Sequence, residues 1–210
     1  LLRVLAARHP DIPRVAIGFS LGGNVLLKYL GETGATAGVA AAVAVSVPFD
    51  LADAADRLER GASRLYQWHL LRSLRARTRA RARALAGRID LDGLASLRTF
   101  RDFDDAVTAP LHGFAGVDDY YARSSSRRYL AGITRPTLIL HARDDPFMTP
   151  AAIPAPHELP GAVQLEVRDA GGHAGFVGGT RPWAPDYWLE RRALAYFADH
   201  RAPDGARACD

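Results

Sequence analysis

The run from Val15 to Asn24 (Val-Ala-Ile-Gly-Phe-Ser-Leu-Gly-Gly-Asn) is compatible with few folds. An apolar strand enters a Gly-x-Ser-x-Gly turn. A helical run (Val25, Leu26, Leu27, Lys28, Tyr29, Leu30) leaves it and stops at Gly31. A sharp strand-to-helix turn of this kind holds the serine hydroxyl above the end of a parallel sheet. The residue types follow from that geometry. The backbone is strained at the serine, and side chains two places away on either side would collide, so Gly18 and Gly22 are expected to leave that space empty. The first N–H groups of the helix, starting with that of Leu21, face any negative charge that forms beside the serine oxygen. A five-residue pattern also arises by chance, and the competing reading is an ordinary βα turn with an incidental serine.

A serine hydroxyl is a poor nucleophile until a histidine takes its proton, and the histidine needs a carboxylate to fix its tautomer. On a sheet of this type the chain order is Ser, then Asp or Glu, then His. Downstream, Thr137 to Leu140 reads as a buried strand, and Asp144-Asp145-Pro146 follows its C-terminal end, where open α/β sheets carry functional groups. Val163 to Val167 alternates as a strand and leads into Asp169-Ala170-Gly171-Gly172-His173-Ala174-Gly175-Phe176. Ser20, Asp145 and His173 therefore stand in the required order. Asp144 competes with Asp145; the residue that directly precedes the Pro-Phe turn is preferred, leaving Asp144 as a capping or solvated group. Asp169 reads as a loop cap. His141 ends a buried strand and reads as a satisfied core residue, and His112 before Gly113 reads as structural. His9, His69, His157 and His200 carry no motif. No His/Cys/Asp cluster has metal-ligand spacing, and the Gly18 turn fails the dinucleotide-binding pattern, so neither a metal nor a cofactor is expected.

With these residues in place the chain resembles the YheT-like α/β-hydrolases, relatives of eukaryotic membrane-associated lipid hydrolases and of yeast medium-chain ester synthases. The resemblance runs from about residue 10 to residue 195. It rests on Gly-Phe-Ser-Leu-Gly-Gly-Asn (18–24), Val-Pro-Phe-Asp (47–50), Phe103-Asp104-Asp105 followed by Thr108, and His112-Gly113-Phe114. Asp119-Tyr120-Tyr121, the run from Leu138 to Met148 and Gly-Gly-His-Ala-Gly-Phe-Val-Gly-Gly (171–179) complete it. The resemblance implies an α/β-hydrolase fold, a mostly parallel sheet with flanking helices and a helical cap. It also implies Ser20 as nucleophile, Asp145 as orienting acid and His173 as base, acting on short- or medium-chain carboxylic esters or monoacylglycerols.

At 210 residues the chain can bury a sizeable core, yet it is short for an eight-stranded sheet of which four strands precede the nucleophile strand. It opens on Leu1-Leu2-Arg3-Val4-Leu5, which reads as the inside of a helix. The expectation is a fragment lacking the N-terminal half of the sheet, with a second oxyanion donor upstream. The nucleophile strand then becomes an exposed apolar edge, an aggregation hazard. No secretory signal and no bilayer-length apolar run are present. Cys209 is the only cysteine, which fits a reducing cytoplasmic setting. The net charge is +4, and Lys28 is the only lysine among 27 basic residues, which reads mainly as a GC-rich coding bias.

The expected organisation is a core segment over 1–50, a helical cap insertion over 51–134, a second core segment over 135–201 and a disordered tail over 202–210. Within the insertion, Arg64 to Arg88 holds eight arginines, with Leu65, Trp68, Leu70, Leu71, Leu74 and Leu85 at partly helical spacing. One reading is a basic amphipathic helix that contacts anionic membrane or an interfacial lipid substrate. The other is a solvated helix whose arginines reflect coding bias and cover more than one face. No nucleic-acid-binding module accompanies the charge, so a nucleic-acid partner is not expected. Three functions stay in competition: ester hydrolysis through an acyl-serine, transfer of the same acyl group to an alcohol, and a catalytically silent fragment that serves as a binding module.

Overall fold

Residues 41–45 are Ala-Ala-Val-Ala-Val and residues 137–142 are Thr-Leu-Ile-Leu-His-Ala. Runs so apolar on both faces suit the interior of a parallel sheet covered by helices on both sides. The computed structural model, which describes residues 2–181 and 183–200, builds that layering. Along the chain the elements are α1 (Leu2–Arg8), β1 (Val15–Phe19), α2 (Leu21–Thr33), β2 (Ala41–Val45), α3 (Leu51–Leu58), α4 (Ser63–Ala80), α5 (Ala82–Leu85), α6 (Phe100–Phe103), α7 (Ala109–His112), α8 (Val117–Ser124), β3 (Thr137–Ala142), β4 (Val163–Arg168), β5 (Val177–Arg181), β6 (Ala184–Tyr187) and α9 (Trp188–Asp199). They divide into two compact units. One runs to Phe49, takes in Ser126–Asp145 and resumes at Ile153; the other is Asp50–Ser125 with Pro146–Ala152.

The first unit is a four-stranded sheet in the order β1-β2-β3-β4, with every pair parallel. Alternation along the strands splits its core. Ala42, Ala44 and Ile139 pack with Leu27 and Leu30 of α2 on one face; Val43, Val45, Leu138 and Leu140 pack with Leu189, Ala193 and Tyr196 of α9 on the other. A fully buried leucine such as Leu27 contributes about 1.5–3 kcal/mol through burial alone. β1 forms one edge, and its Val15, Ile17 and Phe19 side chains are 46%, 44% and 46% exposed. A two-stranded antiparallel hairpin, β5–β6, precedes α9.

The second unit is helical. Asp50 starts α3 by accepting the Ala52 and Asp53 N–H groups at 2.9 and 3.1 Å. Thr99 and Asp102 form a capping box that starts α6. Leu71, Leu94, Phe103 and Val107 make one cluster, and Leu51, Ala55, Val117 and Tyr121 another. Half-buried Asp104 accepts the hydroxyls of Thr108 and Tyr121 at 2.6 and 2.9 Å. Burial nevertheless pushes its carboxyl above the usual range, against the pull of those two bonds.

The units do not divide where the sequence placed the boundaries. Residues 126–134 belong with the sheet: Leu130 and Ile133 enter its core, and the Arg127 N–H is donated to the Phe49 carbonyl. This segment is a 3-10 helix without a strand pattern, so the sequence assigned it to the insertion. Residues 146–152 belong with the helices, where Met148 and Ala152 pack on Ala54 and the Thr149 hydroxyl is donated to Asp53. The expected tail at 202–210, and Cys209 with it, lies outside the described residues. No described helix is long and apolar enough to cross a membrane.

Candidate active site

Ser20 stands between the last residue of β1 and the first of α2, with φ 49° and ψ −124°. Its N–H is donated to the Val45 carbonyl at the end of the neighbouring strand (2.8 Å), and its carbonyl accepts the N–H groups of Gly23 and Asn24. The N–H groups of Leu21 and Gly22 precede those first intrahelical bonds and lie at the positive end of α2, a fitting place for an oxyanion. The tight approach that makes this turn is not shared by Gly18 and Gly22, as the motif suggests. A Cβ on Gly18 would lie 2.5 Å from the Gly22 carbonyl oxygen and 2.8 Å from Gly23 Cα; one on Gly22 would meet nothing within 4 Å. Gly23 is the second crowded position, where a Cβ would lie 2.7 Å from Val47 Cγ2 and 3.1 Å from the Gly18 carbonyl oxygen. The steric pair is therefore Gly18 and Gly23.

Asp145 and His173 meet directly. His173 Nδ1 lies 2.9 Å from one carboxylate oxygen of Asp145 and 3.2 Å from the other. Asp145 is 5% exposed, in the turn that follows β3. A carboxylate at Nδ1 suits the tautomer that carries its proton there and leaves Nε2 to accept. Ser20 and His173 stand 153 residues apart in sequence. The serine turn and the histidine loop are tied together through the end of β2.

That tie is Ser46, a residue the sequence reading passed over. Ser46 follows β2, is fully buried with φ 49°, and its Oγ accepts the Ala174 N–H at 3.0 Å. The residue before it, Val45, holds the Ser20 N–H. Two consecutive residues at the end of β2 thus hold the serine turn and the histidine loop side by side. The only signal for this in the sequence is a small polar residue just past a wholly apolar strand.

Asp144 is the exposed capping group expected, and what it caps is the histidine loop. Its Oδ1 accepts the N–H groups of both Gly171 and Gly172, at 2.9 and 2.8 Å, and so fixes the turn before His173. The loop closes through the Phe176 N–H on the Gly171 carbonyl. Asp169, read as a loop cap, instead pairs with Arg143 at 3.4 Å on the surface. His112 ends α7 in the helical unit. His141 is in the core as expected, but among the described residues its Nδ1 has no hydrogen-bond partner. Burial holds its imidazole pKa below 6.5; nearby Asp145 pulls the other way and His173 adds to the depression. Among the described residues no group of three His, Cys, Asp or Glu side chains could hold a metal ion.

A strand-turn-helix at one strand end and an acid–histidine pair past two others are the arrangement that α/β-hydrolase folds carry. A profile of the alpha/beta hydrolase fold family matches residues 2–180. The chain belongs to that family, on its YheT-like side. It is 44% identical over 193 residues to the candidate esterase YheT of Escherichia coli (strain K12), covering 91% of this chain and 56% of that protein. It is 33% identical over 177 residues to mouse phospholipase ABHD3, covering 83% and 43% of the two chains. It is also 33% identical over 151 residues to the monoacylglycerol lipase of Saccharomyces cerevisiae, covering 69% and 34%. The chain thus spans about half the length of such relatives, or less. Among solved structures, an esterase of Pyrococcus furiosus superposes with a TM-score of 0.52 at 16% identity, covering 95% of this chain and 58% of that one, which shows the shared fold.

Proposed function

We propose that this chain carries the acyl-transfer machinery of a serine carboxylic-ester hydrolase. Ser20 Oγ attacks the ester carbonyl while His173 Nε2 takes its proton, and Asp145 holds Nδ1–H and stabilises the imidazolium. The Leu21 N–H donates to the oxyanion. The tetrahedral intermediate collapses, His173 returns the proton to the departing alcohol, and an acyl-serine remains. Water, deprotonated by His173, then releases the carboxylic acid and restores the serine. The substrates proposed are short- or medium-chain esters or monoacylglycerols, a choice supported by the phospholipase and monoacylglycerol lipase among the relatives.

The observation that carries the reading is the shared anchoring of the two loops at Val45 and Ser46, with the Asp145–His173 bond already made. Labelling with a fluorophosphonate probe, followed by mass spectrometry of the modified peptide, tests it. The expected result is modification at Ser20 that vanishes in Ser20→Ala. A folded wild-type sample that stays unlabelled, or labelling that survives Ser20→Ala, refutes the assignment.

A further inference from the structure

The helical unit carries a surface that the ester chemistry does not use. α4 buries Ser63, Gln67 and Leu71 on one side, a stripe at helical spacing. Opposite it lie Leu65, Trp68, Arg72 and Arg79, whose spacings of three, four and seven residues put them on one face. Leu65 is 73% exposed and Trp68 56% exposed, and the Arg72 guanidinium lies 5.8 Å from the Trp68 ring centre. Charge on this stretch has one sign. Eight arginines and no Asp or Glu lie between Arg64 and Arg88. Two of them, Arg75 and Arg88, turn inward onto the Leu97 and Leu111 carbonyls; Arg72, Arg77, Arg79, Arg81 and Arg83 make no salt bridge among the described residues. Beside Trp68 is a surface cavity of about 290 Å³, lined by Arg64, Arg98, Gln67, Thr99 and Glu59 as well.

Coding bias explains arginine in place of lysine. It does not explain a tryptophan and a leucine left in water on the same stripe as those arginines, while the other side of the helix is buried. An apolar pair beside uncompensated guanidinium groups is the pattern of a helix that lies in a membrane interface, rings among the upper acyl carbons and cations at the headgroup phosphates. We infer that the Leu65–Trp68–Arg72–Arg79 face of α4 docks on an anionic phospholipid surface. The bilayer is the occupant that complements both halves of the stripe; an acidic polymer would match only the arginines. This inference is independent of the catalytic reading, because the face contains none of the residues assigned to acyl transfer.

Co-sedimentation of the purified chain with vesicles tests it. Vesicles of phosphatidylcholine with an equal part of phosphatidylglycerol are expected to retain the protein far better than phosphatidylcholine alone. Raised salt should weaken the retention without abolishing it. Each arginine at such a surface is worth about a fivefold change in partitioning, so Arg72→Ala with Arg79→Ala should lower it about 25-fold. Leu65→Ser with Trp68→Ser should remove the part that survives salt. All four side chains are on the helix surface, and unchanged circular dichroism shows that the variants fold. Fluorophosphonate labelling in vesicle-free buffer should be the same in wild type and in both variants, which separates failure of docking from failure of the catalytic reading. Equal retention on the two vesicle types overturns the inference. So does retention indifferent to both double substitutions, or binding to RNA with none to vesicles.

Discussion

Gly18→Ala and Gly22→Ala should have opposite effects, although both glycines belong to the same five-residue motif. A methyl on Gly18 would lie 2.5 Å from the Gly22 carbonyl oxygen, 2.8 Å from its carbon and 2.8 Å from Gly23 Cα. Comfortable contacts to carbon lie near 3.5 Å or beyond, so the end of β1 and the first turn of α2 must separate by roughly 1 Å. Overpacking of a fitted interior costs about 1–3 kcal/mol. Here the upper end applies, because the colliding atoms are backbone and no rotamer can yield. Gly22 is in the first turn of α2 with open space around its Cβ, and replacing helical glycine by alanine is favourable by up to about 1 kcal/mol. The two variants should therefore differ by about 2–4 kcal/mol, read as urea midpoints at a common slope. Labelling of Ser20 should collapse in Gly18→Ala, because the displaced backbone carries the serine, and persist in Gly22→Ala. A Gly18→Ala protein as stable as wild type would refute the steric account. A Gly22→Ala protein destabilised by more than about 1 kcal/mol would do the same.

Three further substitutions probe the histidine loop and the core beneath it. Ser46→Ala removes the acceptor of the Ala174 N–H and should cost about 1–3 kcal/mol while slowing Ser20 labelling by about tenfold or more; wild-type labelling would show that the loop does not need this anchor. Asp144→Ala should slow labelling as well, and Asp144→Asn, which keeps an acceptor oxygen for Gly171 and Gly172, should recover most of it; equal loss in both would put the effect in the charge. His141 has its folded pKa held below the ordinary 6.5, so in acid the unfolded chain binds a proton that the folded chain refuses. Its contribution to stability is complete above pH 6.5 and is lost as pH falls from there through the folded pKa. His141→Asn should flatten that part of the stability–pH curve, and an unchanged slope in urea melts across the window would count against the assignment.

The parts legible in the sequence were those written in local periodicity. Two largely apolar runs, an alternating third and a Gly-rich turn before a helix mark strands of the parallel sheet, and Ser20, Asp145 and His173 follow β1, β3 and β4 in the chain. What escaped depends on contacts distant in sequence. Gly23 matters because Val47 packs against it, and no pattern within residues 18–23 says so. The segment 126–134 has no strand period, yet it joins the sheet unit because Asn24 Oδ1, buried in α2, accepts the Ser126 N–H across 102 residues of sequence. The hairpin β5–β6 contains Gly178, Gly179 and Pro185, residue types that depress any strand reading. That His141 Nδ1 has no partner among the described residues could not be recognised, since the absence of a partner is a property of its surroundings.

The distribution of backbone strain argues that this sheet end is shaped for more than stability. Among the described residues, the non-glycine positions with positive φ are Ser20, Ser46, Ala174 and Phe176. They come from three separate parts of the chain and gather around one site. Each such conformation costs on the order of 1–3 kcal/mol, so together they approach the net stability of a whole domain, about 5–15 kcal/mol. Every one is pinned through its own N–H: Ser20 to the Val45 carbonyl, Ser46 to the Leu140 carbonyl, Ala174 to Ser46 Oγ, and Phe176 to the Gly171 carbonyl. Glycine would adopt these angles at lower cost. Its absence means that the side chains are needed. The Ser46 hydroxyl anchors the loop, Phe176 and the Ala174 methyl pack into the core on the α9 face, and Ser20 presents its hydroxyl at the start of α2. Strain held by backbone bonds to a buried sheet is the condition under which a serine and a histidine from distant parts of a chain can be kept in register for acyl transfer.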